Sequence, residues 1–130
     1  MDDAPSWRPR ALHMAANAST RFSYAEWRRE AVPGYCGTTS SAGDCTRGSK
    51  GSLGLKPSEG FSLRGAVHAC LRKCDACERC QYITVSPRHG DCSWYARCDL
   101  GRLRTAVKGM LSSAATDEAK AWARIPLPRA

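Results

Sequence analysis

Eight cysteines stand in this chain, and all of them lie between Cys36 and Cys98. A cluster that dense has few outlets: disulfides, a metal centre, or thiol redox chemistry. The 130 residues allow one domain, and a domain of that size buries little apolar surface. Cross-links that restrict the unfolded chain would then supply the margin that the core lacks. The even count leaves no obligatory odd thiol.

Disulfides persist where the surroundings are oxidising, so the chain is expected to be secreted, at the cell surface or in an organelle lumen. Its start, Met1-Asp2-Asp3-Ala4-Pro5, is acidic and polar and lacks the basic opening and apolar stretch of a signal peptide, so it reads as a mature or truncated form. Asn17-Ala18-Ser19 is a glycosylation sequon that fits export, with Asn17 as acceptor. Hydrophobic residues make up 42% of the chain and the mean hydropathy is −0.46, a globular composition. The longest apolar run, Ala11 to Ala18, is interrupted and falls short of the roughly 20 residues of a transmembrane helix.

The formal charge is +8. That excess favours acidic partners, but it is spread along the chain rather than gathered in a tail, and with an oxidised setting it argues against nucleic acid.

Local patterns divide the chain into an N-terminal arm with a short helix (1–35), a cysteine-rich domain (36–112) and a helical tail (113–130). Ser23-Tyr24-Ala25-Glu26 is a capping box that starts a helix through Trp27 to Ala31, stopped by Pro33-Gly34. Cys36 to Cys45 is small and polar, and reads as a loop closed by its own cysteines. Gly48-Ser49-Lys50-Gly51-Ser52 lacks the glycine spacing of a phosphate loop and reads as a turn. From Leu63, apolar residues and Cys70, Cys74 and Cys77 recur at helical spacing. Gln81 to Ser86 alternates and is β-branched, His89-Gly90-Asp91 turns, and Cys92 to Ala96 is a partner strand. A further strand is expected over Thr105 to Met110, and a helix over Ala114 to Arg124. The fold class is a small disulfide-rich α+β domain, an antiparallel sheet cradling one helix, with partly helical extensions.

Cysteines three or four apart on a helix hold their Cβ atoms about 5–6 Å apart, whereas a disulfide needs about 3.5–4.5 Å. With Cys36 paired locally to Cys45, the three helical cysteines must find Cys80, Cys92 and Cys98, which reduces 105 connectivities to six. Metal is the competing reading, with His68 and His89 as conceivable ligands. Cys74-x2-Cys77-x2-Cys80 lacks the rest of a ferredoxin run, and Cys92-x5-Cys98 is a poor zinc knuckle. No metal or other cofactor is therefore expected.

Cys70-x3-Cys74-x5-Cys80-Gln81-Tyr82, followed by Asp91-Cys92-Ser93-Trp94-Tyr95, resembles the core of a PAN/apple domain over about residues 60–98. The resemblance implies a curved antiparallel sheet around one helix, the pairs Cys74–Cys80 and Cys70–Cys92, and extracellular binding of protein or carbohydrate without catalysis. Cys77 and Cys98 are additions to that pattern and pair with each other by elimination.

No nucleophile, base and orienting acid stand in recognisable spacing, and the adjacent carboxylates Asp117 and Glu118 point to different sides of a helix, so no catalytic residue is expected. A binding module for protein or acidic carbohydrate is the leading reading. Its candidate surface is Arg88, His89, Trp94, Tyr95 and Arg97, suited to stacking on sugars or gripping sulfate and carboxylate. The bland reading of Trp94 is core packing. The alternative function is an accessory subunit of a larger assembly, with Trp7, Trp27 and Trp122 as contact anchors.

Overall fold

The computed structural model describes residues 22–127. Asn17, Trp7 and the arm over residues 1–20 lie outside the described residues.

Among the described residues three helices and five strands follow in order: α1 (Tyr24–Glu30), β1 (Val32–Pro33), β2 (Lys50–Ser52), α2 (Leu63–Asp75), β3 (Tyr82–Ser86), β4 (Asp91–Tyr95), β5 (Leu111–Ala114) and α3 (Asp117–Arg124). The strands form one antiparallel sheet in the order β1-β5-β3-β4-β2. The capping box acts as its sequence requires, since the Ser23 hydroxyl accepts from the Glu26 amide. Ser62 and Thr116 cap α2 and α3 in the same way. The disulfide-rich α+β class expected from the sequence is the one observed.

Both faces of the sheet are covered, by different chemistry. One face presents Ile83, Val85, Cys92 and Trp94 to Ala66, Val67, Cys70 and Leu71 of α2. α3 packs beside α2 and adds Ala119 and Ala123 to this core. Arg124 grips Asp75 through two bonds of 2.8 Å, joining the ends of the two helices.

The opposite face carries a row of hydroxyl residues in register across four strands, Ser112–Thr84–Ser93–Ser52. The segment 34–40 runs along that row, before a turn at Ser41 and Ala42. Ser112 Oγ donates to the Gly34 carbonyl at 2.8 Å, the Cys36 amide donates to Thr84 Oγ1 at 3.3 Å, Thr39 Oγ1 lies 2.7 Å from Ser93 Oγ, and the Ser52 amide donates to the Ser40 carbonyl at 2.8 Å. Gly34 starts this strap with φ +122, in the region that favours glycine, and a Cβ there would meet Leu103 Cβ at 2.7 Å.

The strap explains the first correction. Cys36 and Cys45 do not close a loop on each other, because the chain between them spans the sheet. Cys36 pairs with Cys98 and Cys45 with Cys77, while Cys70–Cys92 and Cys74–Cys80 form as the resemblance implies. The expected Cys77–Cys98 pair is absent for a related reason: Cys77 lies beyond the end of α2, where the chain turns back toward Cys45, and the Arg79 amide bonds the Cys45 carbonyl at 2.9 Å.

Two further expectations change. Residues 105–110 form a run of bends rather than a strand, and the strand follows at Leu111–Ala114. A division at 112/113 therefore runs through β5, the neighbour of both β1 and β3. The described parts of the two extensions belong to the same fold, with Trp27, Ala119 and Ala123 in its core.

Candidate functional site: a cationic cleft at the end of the sheet

The five residues expected to form a ligand surface are not brought together. Trp94 is 1% exposed, on the helix-facing side of β4, and Tyr95 is 3% exposed beneath the strap, donating its hydroxyl to the Gly37 carbonyl at 2.6 Å. Neither ring offers a stacking surface. Arg88 and His89 are exposed at the tip of the β3–β4 hairpin, where His89 Nε2 donates to the Lys108 carbonyl at 2.8 Å. Arg97 is exposed beyond the other end of β4, roughly 20 Å away at the rise of an extended strand.

Arg97 instead joins cations that the sequence did not single out. With Lys50, Arg79, Cys36, Ser49, Tyr95 and Ala96 it lines a cleft of about 360 Å³. An adjoining hollow shares Arg79, Ala96 and Arg97 and extends to Thr46, Glu78 and Gln81. Arg79 is the fixed member. Its Nε donates to the Gly48 carbonyl at 2.7 Å, which leaves the rest of the guanidinium fork for a ligand. Lys50 reaches over Gly37 from the edge strand.

The two disulfides that sequence spacing did not pair are the ones that assemble this cleft. Cys45–Cys77 brings the segment before Lys50 against the one that carries Arg79, and Cys36–Cys98 closes the wall next to Arg97. Lys50 and Arg79 are 29 positions apart and no local pattern links them. The one hint was that each lies within a few residues of a cysteine.

A second depression lies at the far end of the same register row. Lys50, Tyr95, Tyr82 and Ala114 are successive partners across β2, β4, β3 and β5. At a strand spacing of about 4.8 Å the row spans roughly 14 Å. The depression beyond Ala114 measures about 230 Å³ and is lined by Phe22, Glu26, Trp27, Glu30, Leu100, Ser113, Thr116 and Glu118. Two of these residues each have a buried polar atom, Trp27 Nε1 and Ser113 Oγ, with no hydrogen-bond partner. Each such orphan costs about 1–3 kcal/mol.

The remaining candidates are structural. Every cysteine is in a disulfide, so none is free to bind metal as a thiolate, and among the described residues no three His, Cys, Asp or Glu side chains gather as a metal site. His68 is buried, and its Nε2 donates to the Ile125 carbonyl at 2.7 Å while its ring meets Trp122 edge-on. Trp27 is buried and Trp122, half-buried, packs against Phe22 and His68, so both of these tryptophans fold back onto the domain. Among the described residues no helix is long and apolar enough to cross a membrane.

Four carboxyls among the described residues have shifted affinities for protons, and Asp44 is held down by the amide and then the hydroxyl of Thr46, which both donate to it. Burial pushes Asp91 up, offset in part by the hydroxyl of Ser93 that donates to it. Glu59 is held down first by the hydrogen bond from Lys73 at 2.6 Å, then by the Lys56 amide. Asp75 is held down by Arg124. None of the four lines the cationic cleft.

No family model, curated protein or solved structure matches this chain.

Proposed function

We propose that this chain is a non-catalytic binding module of an oxidising extracellular or lumenal compartment, and that it takes a sulfate or carboxylate group of a glycan or protein partner in the cleft of Lys50, Arg79 and Arg97. The observation that carries the reading is the convergence of three exposed cations from separate segments on one concave site, with Arg79 anchored through Nε. Glu78 is the one acidic side chain on the described walls, so the site is cationic beyond the general excess of the chain.

Planar guanidinium groups suit the paired oxygens of sulfate and carboxylate, and a lysine on an edge strand adds a mobile point charge. Four disulfides fit the oxidising setting. The PAN/apple likeness supports the same reading, since the two pairs it implies, Cys70–Cys92 and Cys74–Cys80, are formed.

The test is binding of a sulfated oligosaccharide at low and at physiological salt. Binding is expected at low salt and should weaken as salt rises. Lys50→Ala combined with Arg97→Ala should weaken it by about tenfold or more, as for the loss of charge-assisted hydrogen bonds. Arg88→Ala, at the remote hairpin tip, should leave it unchanged. Absence of binding at low salt, or a double variant that binds like the parent, would overturn the proposal.

A further inference from the structure

We infer that the depression between α1, the turn at Leu100 and the start of α3 is a binding site for a basic side chain of a polypeptide, a guanidinium or ammonium presented next to its own main-chain carbonyl. The inference stands apart from the cationic cleft and does not depend on it.

Its first support is charge. In a chain of net charge +8, this depression carries Glu26, Glu30 and Glu118 on its walls, and no lysine or arginine among the described residues that line it. The ion pairs among the described residues involve other carboxylates, Glu59, Asp75 and Asp99, so these three are not neutralised there. They come from both ends of α1 and from the first turn of α3, two elements that only the folded chain brings together.

The second support is independent of charge. Trp27 is 2% exposed and Ser113 is 4% exposed, both residues line the depression, and each has a buried side-chain heteroatom that lacks any hydrogen-bond partner. Buried polar groups are nearly always satisfied, and an exception inside a cavity asks for a group that the protein does not itself supply. An indole N–H only donates, so it needs an acceptor, and a hydroxyl accepts that role or its reverse. A bare polyamine brings no acceptor. A lysine or arginine residue brings a cation for the glutamates and, one stem away, a carbonyl oxygen for the floor. Phe22, Trp27 and Leu100 furnish the apolar wall along which such a stem lies. The volume of about 230 Å³ matches a single long side chain rather than a folded partner or an extended sugar chain.

The experiment uses the full oxidised chain with 15N-labelled tryptophan, whose indole N–H signals report each ring separately. The probe is N-acetyl-arginine methylamide, compared with its citrulline analogue, which keeps the carbonyls and loses the charge, and with agmatine, which keeps the charge and lacks the carbonyl. The Trp27 signal should move saturably with the arginine probe while those of Trp94 and Trp122 stay in place. The citrulline analogue should produce no saturable shift. Combined Glu26→Gln, Glu30→Gln and Glu118→Gln should weaken binding by about tenfold, as charge-assisted hydrogen bonds become neutral ones. The glutamines leave the fold intact because the three side chains are exposed or half-exposed, and an unchanged indole spectrum of the free variant checks this. A Trp27 signal that does not move, equal binding of the citrulline analogue, or an unaffected triple variant would overturn the site. Agmatine binding as tightly as the arginine probe would overturn the assignment to a polypeptide.

Discussion

Thr84 shows how one side chain can carry two layers of this fold. Its β-branched shape suits the central strand, and its hydroxyl stands in the middle of the row that holds the strap. Ser112 gives its proton to the Gly34 carbonyl, so Thr84 gives its own to Ser112 and still accepts from the Cys36 amide. Asp91, at the end of the same face, takes the hydroxyl proton of Ser93 while half buried. Because burial raises its folded affinity for a proton, the folded state is favoured when Asp91 is protonated, and stability falls as pH rises from the unfolded value of about 3.9 through the raised folded one. Asp91→Asn keeps an acceptor for Ser93 and removes the charge. The variant should match the parent near pH 3 and be more stable at pH 7, by less than about 1 kcal/mol given the solvent that still reaches the group. Urea midpoints at the two pH values check this, and equal midpoints at pH 7 would refute it. Glu59 and Asp75 act in the opposite sense, stabilising above about pH 4 and losing that contribution in acid. At this scale the burial of Trp94 was legible only as the competing reading, since a large aromatic on a strand beside a cysteine tends to pack in the core. The burial of Tyr95 was not legible, since the strap that covers it is distant in sequence.

Among the elements, β2 is the one whose existence the sequence concealed. Lys50-Gly51-Ser52 is too short and too polar to read as a strand, and it is held at the sheet edge by pairing with β4 and by the strap. Gly51 makes that approach possible. A Cβ there would stand 2.5 Å from Trp94 Nε1, with Gly43 Cα at 3.0 Å on the other side. The Trp94 ring is buried and cannot swing away, so Gly51→Ala should lift β2 and cost about 1–3 kcal/mol, in the range of overpacked cores. Because Lys50 belongs to β2, the same variant should also weaken binding of the sulfated probe. A urea midpoint equal to that of the parent would refute the close approach. The helices, by contrast, were visible in advance, because capping residues and apolar periodicity are local. β5 was displaced from the expected 105–110 to 111–114 because its place between β1 and β3 is set by partners rather than by its own Leu-Ser-Ser-Ala composition.

For the whole molecule, the disulfides decide how far the cross-links reach. Cys36–Cys98 closes a separation of 62 residues and Cys45–Cys77 one of 32, whereas Cys74–Cys80 closes 6. Longer loops remove more freedom from the unfolded chain, about 4 kcal/mol for the first against about 2 for the last in the loop-closure picture. Peptide mapping without reductant should recover Cys36 with Cys98 and Cys45 with Cys77, and a Cys36–Cys45 product would refute both the strap and the cleft built on it. By itself the sequence determined the fold class, the capping box of α1, the presence and order of the helices, the β3–β4 hairpin and the oxidised state of a cysteine-rich domain. All of these follow from neighbours a few residues apart. Only the tertiary structure decided which distant cysteines meet, that the extensions join the core, and that Lys50, Arg79 and Arg97 face one cleft while Glu26, Glu30 and Glu118 face another. Those outcomes rest on a strap matching a row of hydroxyls across four strands, a fit between surfaces that exists only once the sheet has formed.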